Sequence, residues 1–528
     1  MNFHRFDELV DESCICDQGA RKSLDLLLSK ELGCCLHNSD PAHRVCIDLL
    51  AVWAETESIK GTDDPSNGDK MERDLADNAL EKVSPERLRR VVSASFAGTV
   101  VEWFDFAIYG YMATHIAETF FSSTDPVIGL LETFAVFAVA FCLRPLGGIF
   151  FGHLGDRLGR KKILVLTVLL MSGSTAAIGL IPSHETLGLW SAILLVLARC
   201  LQGFSAGGEY AGATIYVVEH SPDTRRARYS SAMSAATFSS FALAAGLGAL
   251  LSFILPAAAM GDWGWRVLFM LSVPMGLIAF YIRSKLHESP EFQAMLDNSA
   301  SRPVPSLTEV FRTQWGAMLR LGGFVMLTAL SFYIYSTYMS TFLIKVVGLP
   351  QHLALFSSLI SLTLATAFTP IMGRISDRIG RKITMQIAAG LLATLTIPAY
   401  IIAEQGTFGS AIASQLLIGL GTVAANVVTS VLMSEMFATD VRFSASGACY
   451  NITYALFGGT APFVATWLVA ATGQSLSPAI YVAAIAVVSF LVATFFIPET
   501  AGRPLRRYHD DVATSAQSKS EPTKRTVS

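Results

Sequence analysis

The sequence predicts an all-α polytopic membrane protein, with twelve transmembrane helices arranged as two related six-helix halves. Three observations carry this. Of 528 residues, 52% are hydrophobic and only 15% are charged, where a soluble domain carries about a quarter charged residues. From about residue 91 onward, twelve apolar stretches follow one another, each long enough to cross a bilayer at roughly 20 residues per span. One ten-residue pattern also occurs twice, as GHLGDRLGRK from Gly152 to Lys161 and as GRISDRIGRK from Gly373 to Lys382. The second copy begins 221 residues after the first. Both read G-x-x-x-D-R-x-G-R-K between two long apolar stretches, so the chain repeats a whole membrane half.

Residues 1–86 differ in composition from the rest. They hold five of the eight cysteines: Cys14, Cys16, Cys34, Cys35 and Cys46. The stretch 56–90 is rich in charged residues, Ser and Gly, and reads as a disordered cytoplasmic extension. The spacing of Cys14, Cys16, Cys34 and Cys35 with His37 and His43 is not that of a zinc finger, so no metal is expected. Residues 1–30 lack the continuous apolar core of a signal peptide. Met71 reads as an alternative start, because it opens a charged leader of ordinary length before the first span.

The apolar stretches cover 91–117, 127–151, 163–182, 188–218, 230–256 and 265–284 in the first half (87–284). In the second half (317–498) they cover 318–344, 352–373, 383–403, 409–437, 445–470 and 476–497. A polar stretch, 285–316, separates the halves, and 499–528 is a short polar tail. Basic residues concentrate in alternate loops: Arg157, Arg160, Lys161 and Lys162; Arg225, Arg226 and Arg228; Arg283 and Lys285; Arg374, Arg378, Arg381 and Lys382. The opposite loops hold Asp125, Glu185, Asp262 and Glu404, with Lys345 as their basic member. The positive-inside rule then places the basic loops and both termini in the cytoplasm. Cys142, Cys200 and Cys449 stand alone in or beside spans and read as packing residues.

Ionisable groups inside a span are costly, which makes them functional candidates. In span one, Gly98, Glu102, Asp105 and Tyr109 share one helix face. Two carboxylates there cannot both stay charged cheaply, which suits a proton carrier; the alternative is structural pairing with an arginine elsewhere. In span four, Arg199 and Glu209 stand ten residues apart, about 15 Å along a continuous helix. Each therefore needs a partner on another helix, and a span-one carboxylate suits Arg199. Arg144, near the end of span two, is assigned to a gating network with Gly152, Asp156, Arg157 and Arg160, matched in the second copy by Gly373, Asp377, Arg378 and Arg381. An aspartate ion pair there can form in one conformation and break in the other. The second half has no acidic residue near mid-membrane but carries Phe332, Tyr333, Tyr335 and Tyr338. With Trp103, Phe104 and Tyr109 these aromatics could surround an alkylammonium group; the alternative is packing.

EWFDF in span one, RPLGG, the repeated motif, ARCLQGFSAGGEY in span four, DWGWR before span six and FIPETAGRPL at the end resemble the metabolite:proton symporter family of the major facilitator superfamily. The likeness covers residues 88–507. It implies proton-coupled uptake, with Glu102, Asp105, Arg199 and Glu209 matching charged positions in the family's spans. Within the family the chain is most similar to members that take up zwitterionic osmolytes such as proline and glycine betaine. It departs from the best-known of these, which end in a long heptad-bearing tail linked to osmotic sensing. Here the tail after Thr500 has no apolar heptads, so transport carries over better than osmosensing.

The first reading is therefore a proton-driven symporter for a small zwitterion, monomeric, in a bacterial inner membrane, with no cofactor and no nucleic-acid partner. The second is a symporter for an organic acid such as 2-oxoglutarate, citrate or shikimate. An anion site is expected to hold more interior arginine, and only Arg199 lies clearly inside a span. The third, a non-transporting sensor, lacks a convincing soluble output domain. An enzyme is not expected, because there is no nucleotide loop, metal-ligand set or nucleophile–base arrangement.

Overall fold

The computed structural model describes residues 85–123, 125–158, 160–207, 209–285, 307–503 and 505. The extension 1–84 and the tail from 506 lie outside them. Among the described residues, regular structure is entirely helical. Eleven helices are long and apolar enough to cross a membrane, and the shorter apolar helix 165–180 completes twelve.

The first half runs as follows. Span one is Pro85–Tyr111 continued by Ala113–Phe120, span two is Pro126–Leu158, and span three is Arg160–Leu180. Span four is two helices, Leu189–Ser205 and Glu209–Glu219, and span five is Arg226–Ile254. Span six begins with a π-helical turn, Met260–Gly264, and continues through Trp265–Met270 and Ser272–Lys285.

In the second half, span seven is Leu307–Tyr333, a π-helical turn Ile334–Tyr338, and Met339–Lys345. Gln351–Ile379, Arg381–Ala403 and Phe408–Glu435 are spans eight, nine and ten. Span eleven is Thr439–Thr453 and Ala461–Thr472 around a π-helical turn, Tyr454–Gly459. Span twelve is Ser477–Phe495.

Burial sorts the spans into layers. Span one is buried continuously from Val101 to Thr114, and span ten from Gly421 to Ser434. Spans three, six, nine and twelve instead present Leu166, Leu169, Leu277, Ile278, Ile383, Ile387, Val487 and Leu491 outward. Apolar side chains on that outer face cost nothing against lipid, so composition alone could not separate the two layers.

The repeated motif is not a loop. Span eight stays helical through Ser376, Asp377 and Arg378, and a single residue, Gly380, makes the turn at φ 94° before span nine starts at Arg381. A Cβ at Gly380 would be strained at that φ and would stand 2.5 Å from Glu499 Oε2. The two segments therefore meet end to end at a glycine because no other residue fits there.

Span four breaks where it meets span two. A Cβ on Gly147 would lie 1.6 Å from the Phe204 carbonyl oxygen, and one on Gly207 would lie 2.1 Å from the Arg144 carbonyl oxygen. Backbones this close allow only glycine. The freed Gly207 carbonyl accepts a 2.7 Å hydrogen bond from Asn451 Nδ2 of span eleven. This break removes the continuous helix on which the 15 Å separation of Arg199 and Glu209 rested.

Candidate functional site

Span one supplies two buried carboxylates, Glu102 and Asp105. Asp105 faces Thr175 of span three and the guanidinium of Arg199. Arg199 Nη1 donates to Gln202 Oε1, and Gln202 Nε2 donates to Thr175 Oγ1 at 2.8 Å. The Arg199 guanidinium lies 3.9 Å over the Tyr109 ring, whose hydroxyl donates to the Thr133 carbonyl at 3.0 Å. Asp105, Thr175, Arg199, Gln202 and Tyr109 thus form one cluster inside the first half. Among the described residues no ion pair joins Arg199 to a span-one carboxylate, and both Asp105 oxygens are buried without a hydrogen-bond partner, so the two charges are neighbours and not a bonded pair. Glu209 opens the helix after the span-four break and is half-buried.

Arg144 departs from expectation. It is buried, and its guanidinium lies 4.2 Å over Phe106, 4.5 Å over Phe141 and 5.3 Å from the Trp103 ring. Aromatic faces carry the negative end of the ring quadrupole and can hold a guanidinium in this way. Its placement in the gating network is corrected: span two turns Arg144 toward mid-span residues of span one, two turns away from the repeated motif. The expectation of a single interior arginine falls with it.

The aromatic candidates divide. Trp103 meets Tyr210 at 5.5 Å in its own half and Phe332 at 5.6 Å across the interface. Tyr333 packs on Phe137, Phe141 and Phe332 at 5.2–5.5 Å, and its hydroxyl has no hydrogen-bond partner. The Tyr335 hydroxyl is held in the second half by Ser361 Oγ at 2.7 Å, with its ring 6.2 Å from Phe238 of span five, and Tyr109 is covered by Arg199. Those two therefore leave the predicted cage. Tyr450 and Tyr454 of span eleven, which the sequence did not single out, join it instead. They stack at 4.0 Å, and Tyr450 stacks on Tyr210 at 5.1 Å. Their signal was an i, i+4 tyrosine pair running into a π-helical turn.

A second charged network occupies the end of the molecule that carries the repeated motif. Asp377 accepts from the backbone N–H of Ala227 at 3.0 Å and of Arg228 at 2.9 Å, at the start of span five. It also takes Arg381 Nη1 at 2.9 Å. Arg381 reaches Glu435 at 3.2 Å, and Arg226 of the first half reaches the same carboxylate at 3.7 Å. Thr500 Oγ1 donates to Glu435 at 2.5 Å, and Arg226 Nη1 donates to the Arg503 carbonyl at 2.7 Å. Glu219 pairs with Arg442 at 2.6 Å. The halves are therefore clamped together at this end. The side chains of Gly152, Asp156, Arg157 and Arg160 lie outside the described residues.

Glu499 closes the network. Its carboxylate accepts from the N–H groups of Arg381, Lys382, Thr500 and Ala501 at 2.8–3.0 Å. Partial burial pushes its pKa up, but these four donors outweigh burial and hold it below the ordinary value. The opposite end is held more lightly, by His115 Nε2 with Gln351 Oε1 at 3.0 Å and by the exposed pair Lys345–Glu118 at 3.5 Å.

With this geometry in hand, comparison with known proteins fixes the family. The sequence matches the Major Facilitator Superfamily over residues 95–448 and 358–518. The chain is 38% identical over 432 residues to a proline/betaine transporter of Escherichia coli, covering 80% of this chain and 85% of that one. It is 36% identical to a glycine betaine/proline/ectoine/pipecolic acid transporter of Dickeya dadantii, covering 83% and 88%. In fold it is similar to the E. coli xylose transporter in a partially occluded, inward-open conformation. The TM-score there is 0.64 at 16% identity, over 79% of this chain and 99% of that one. Two duplicated six-helix halves and an extended match to both sequence and fold place the chain in the Major Facilitator Superfamily.

Proposed function

We propose that the chain is a secondary active transporter that couples proton entry to uptake of a small zwitterionic osmolyte such as proline or glycine betaine. The observation that carries this is the match, over four-fifths of the chain, to relatives named for those substrates. The site is consistent with it. A trimethylammonium or pyrrolidinium group suits the aromatic cluster of Trp103, Tyr333, Tyr450 and Tyr454. Glu102 and Asp105 are the proton-coupling candidates, with Arg199 as the fixed counter-charge to Asp105 and Glu209 as a further candidate acid.

The network of Asp377, Arg378 and Arg381 is the gate that holds one side shut, and Gly152, Asp156, Arg157 and Arg160 are its counterpart. The transport unit is 87–498. Both termini and the gate face the cytoplasm of a bacterial inner membrane, the protein works as a monomer, and the proton gradient replaces any cofactor.

The second buried arginine favours one alternative, proton symport of an organic acid. Vesicles with an inward proton gradient decide between them. Labelled proline should accumulate, unlabelled glycine betaine should compete and 2-oxoglutarate should not, and a protonophore should abolish accumulation. Competition by organic acids alone overturns the zwitterion reading, and accumulation that follows ATP under the protonophore overturns proton coupling.

A further inference from the structure

We infer that Arg144 is the specificity-determining residue that takes the carboxylate of the transported substrate, an inference that rests on the transport reading above. Its Nε and Nη2 are buried and have no hydrogen-bond partner. Those two atoms form one edge of the guanidinium fork, the edge that binds a carboxylate through two parallel N–H···O bonds. Among the described residues, no acidic side chain comes within ion-pair distance of it. A buried cation is normally paired, and these two donors, held on aromatic faces, are placed to be satisfied by an anion.

Arg199 is the other buried arginine of the central spans, and its Nε and Nη2 are likewise without a hydrogen-bond partner. It fits the part less well because its Nη1 is held by Gln202, Tyr109 covers its face, and Asp105 of its own half is a nearby opposite charge.

Position adds a second argument. Arg144 belongs to the first half, yet two of the rings it rests on touch the second: Phe141 meets Tyr333 at 5.2 Å and Trp103 meets Tyr454 at 6.5 Å, and Tyr454 stacks on Tyr450. A substrate whose carboxylate sits on Arg144 and whose cationic group meets those tyrosines touches both halves at once. Binding then differs between the two orientations of the halves, as alternating access requires. The carboxylate is the recognised group, so molecules that keep the quaternary ammonium but lack the acid should be refused.

The test is binding of glycine betaine, choline and 2-oxoglutarate to the purified full-length protein, measured by calorimetry for wild type, Arg144→Gln and Arg144→Lys. Wild type should bind glycine betaine and not choline, which has the same trimethylammonium group with a hydroxyl in place of the carboxylate. Arg144→Gln should weaken glycine betaine about 100-fold, as loss of one partner of a buried, hydrogen-bonded charge pair does. Arg144→Lys keeps the charge without the planar fork and should weaken it about tenfold; it decides the matter if the glutamine variant does not fold.

Unchanged betaine affinity in a folded variant, or tight choline binding by wild type, overturns the assignment. Wild type that binds 2-oxoglutarate and not glycine betaine overturns the zwitterion reading alone. Arg144 is then judged by the same fold-changes on 2-oxoglutarate. Wild type that binds neither acid overturns both.

Discussion

Two sets of buried and half-buried charges in this molecule are built in opposite ways. At the motif end, Arg226, Arg381, Asp377, Glu435 and Glu499 share carboxylates, backbone N–H groups and carbonyls, and each has at least two partners. In the centre, Arg144 rests on three aromatic rings with one donor edge bare. Burial of charge is expensive in both places. Where the partners are all protein groups, the charges hold a conformation. Where a partner is missing, the protein has left room for something that comes and goes. The difference separates a clamp from a site, and composition does not.

The sharpest way to break the comparison is to neutralise the central carboxylates one at a time. Glu102→Gln or Asp105→Asn, whichever is the proton carrier, should abolish uphill accumulation while sparing substrate exchange. Exchange needs only the loaded carrier to reorient. Equal loss of both activities in both variants directs attention to Glu209 instead.

At the clamp, Glu435→Gln should leave Arg226 and Arg381 buried without their shared acid. It should cost about 3–5 kcal/mol, read as a lowered Tm in detergent; an unchanged Tm would show that the clamp is not stabilising this conformation. Asp377→Asn weakens the charge-assisted bonds to span five by roughly 1.5–3 kcal/mol. It should therefore slow turnover with substrate affinity nearly intact, and Asp156→Asn should do the same. Loss of binding in step with transport contradicts a gating role.

Glu499→Gln is smaller, about 1 kcal/mol, the scale of a helix N-cap. Because folding lowers this carboxyl's pKa, its stabilisation is fully present above the unfolded value of 4.5. It is lost as pH falls through the lower folded value. The Tm gap between wild type and variant should be constant near neutrality and close in acid; a gap that widens in acid has the wrong sign. The smallest expected effect is none: truncation to Met71 should leave uptake at the full-length level, measured at equal membrane amounts.

Much of the centre was legible in the sequence, because a charge in an apolar run stands out against its background. Glu102, Asp105 and Arg199 declared themselves in that way. Arg144 did so only halfway. Its residue type was visible, but its depth depended on Gly147 and Gly207 drawing spans two and four together, which sets where the side chain points. Tyr335 and Tyr333 differ by two positions in one aromatic run. Two positions on a helix stand about 200° apart, so the two rings had to part. Which of them would meet Phe137 and Phe141 of span two, and which would bond Ser361, depended on how span seven is rotated in the bundle. Tyr450 and Tyr454 were hidden for the same reason, because the rotation of span eleven is not written in its sequence.

By itself the sequence determined the twelve spans, the duplication and the presence of charge in span one. These follow from hydropathy and local pattern, which act over one helix at a time. Only the tertiary structure decided which charges meet. Arg226 finds Glu435, Glu499 caps span nine and Trp103 meets Tyr454 of span eleven, each across more than a hundred residues of chain. Those partnerships depend on how closely glycine-lined helices approach and on how each helix is rotated, and both are properties of packed backbones that a one-dimensional pattern does not contain.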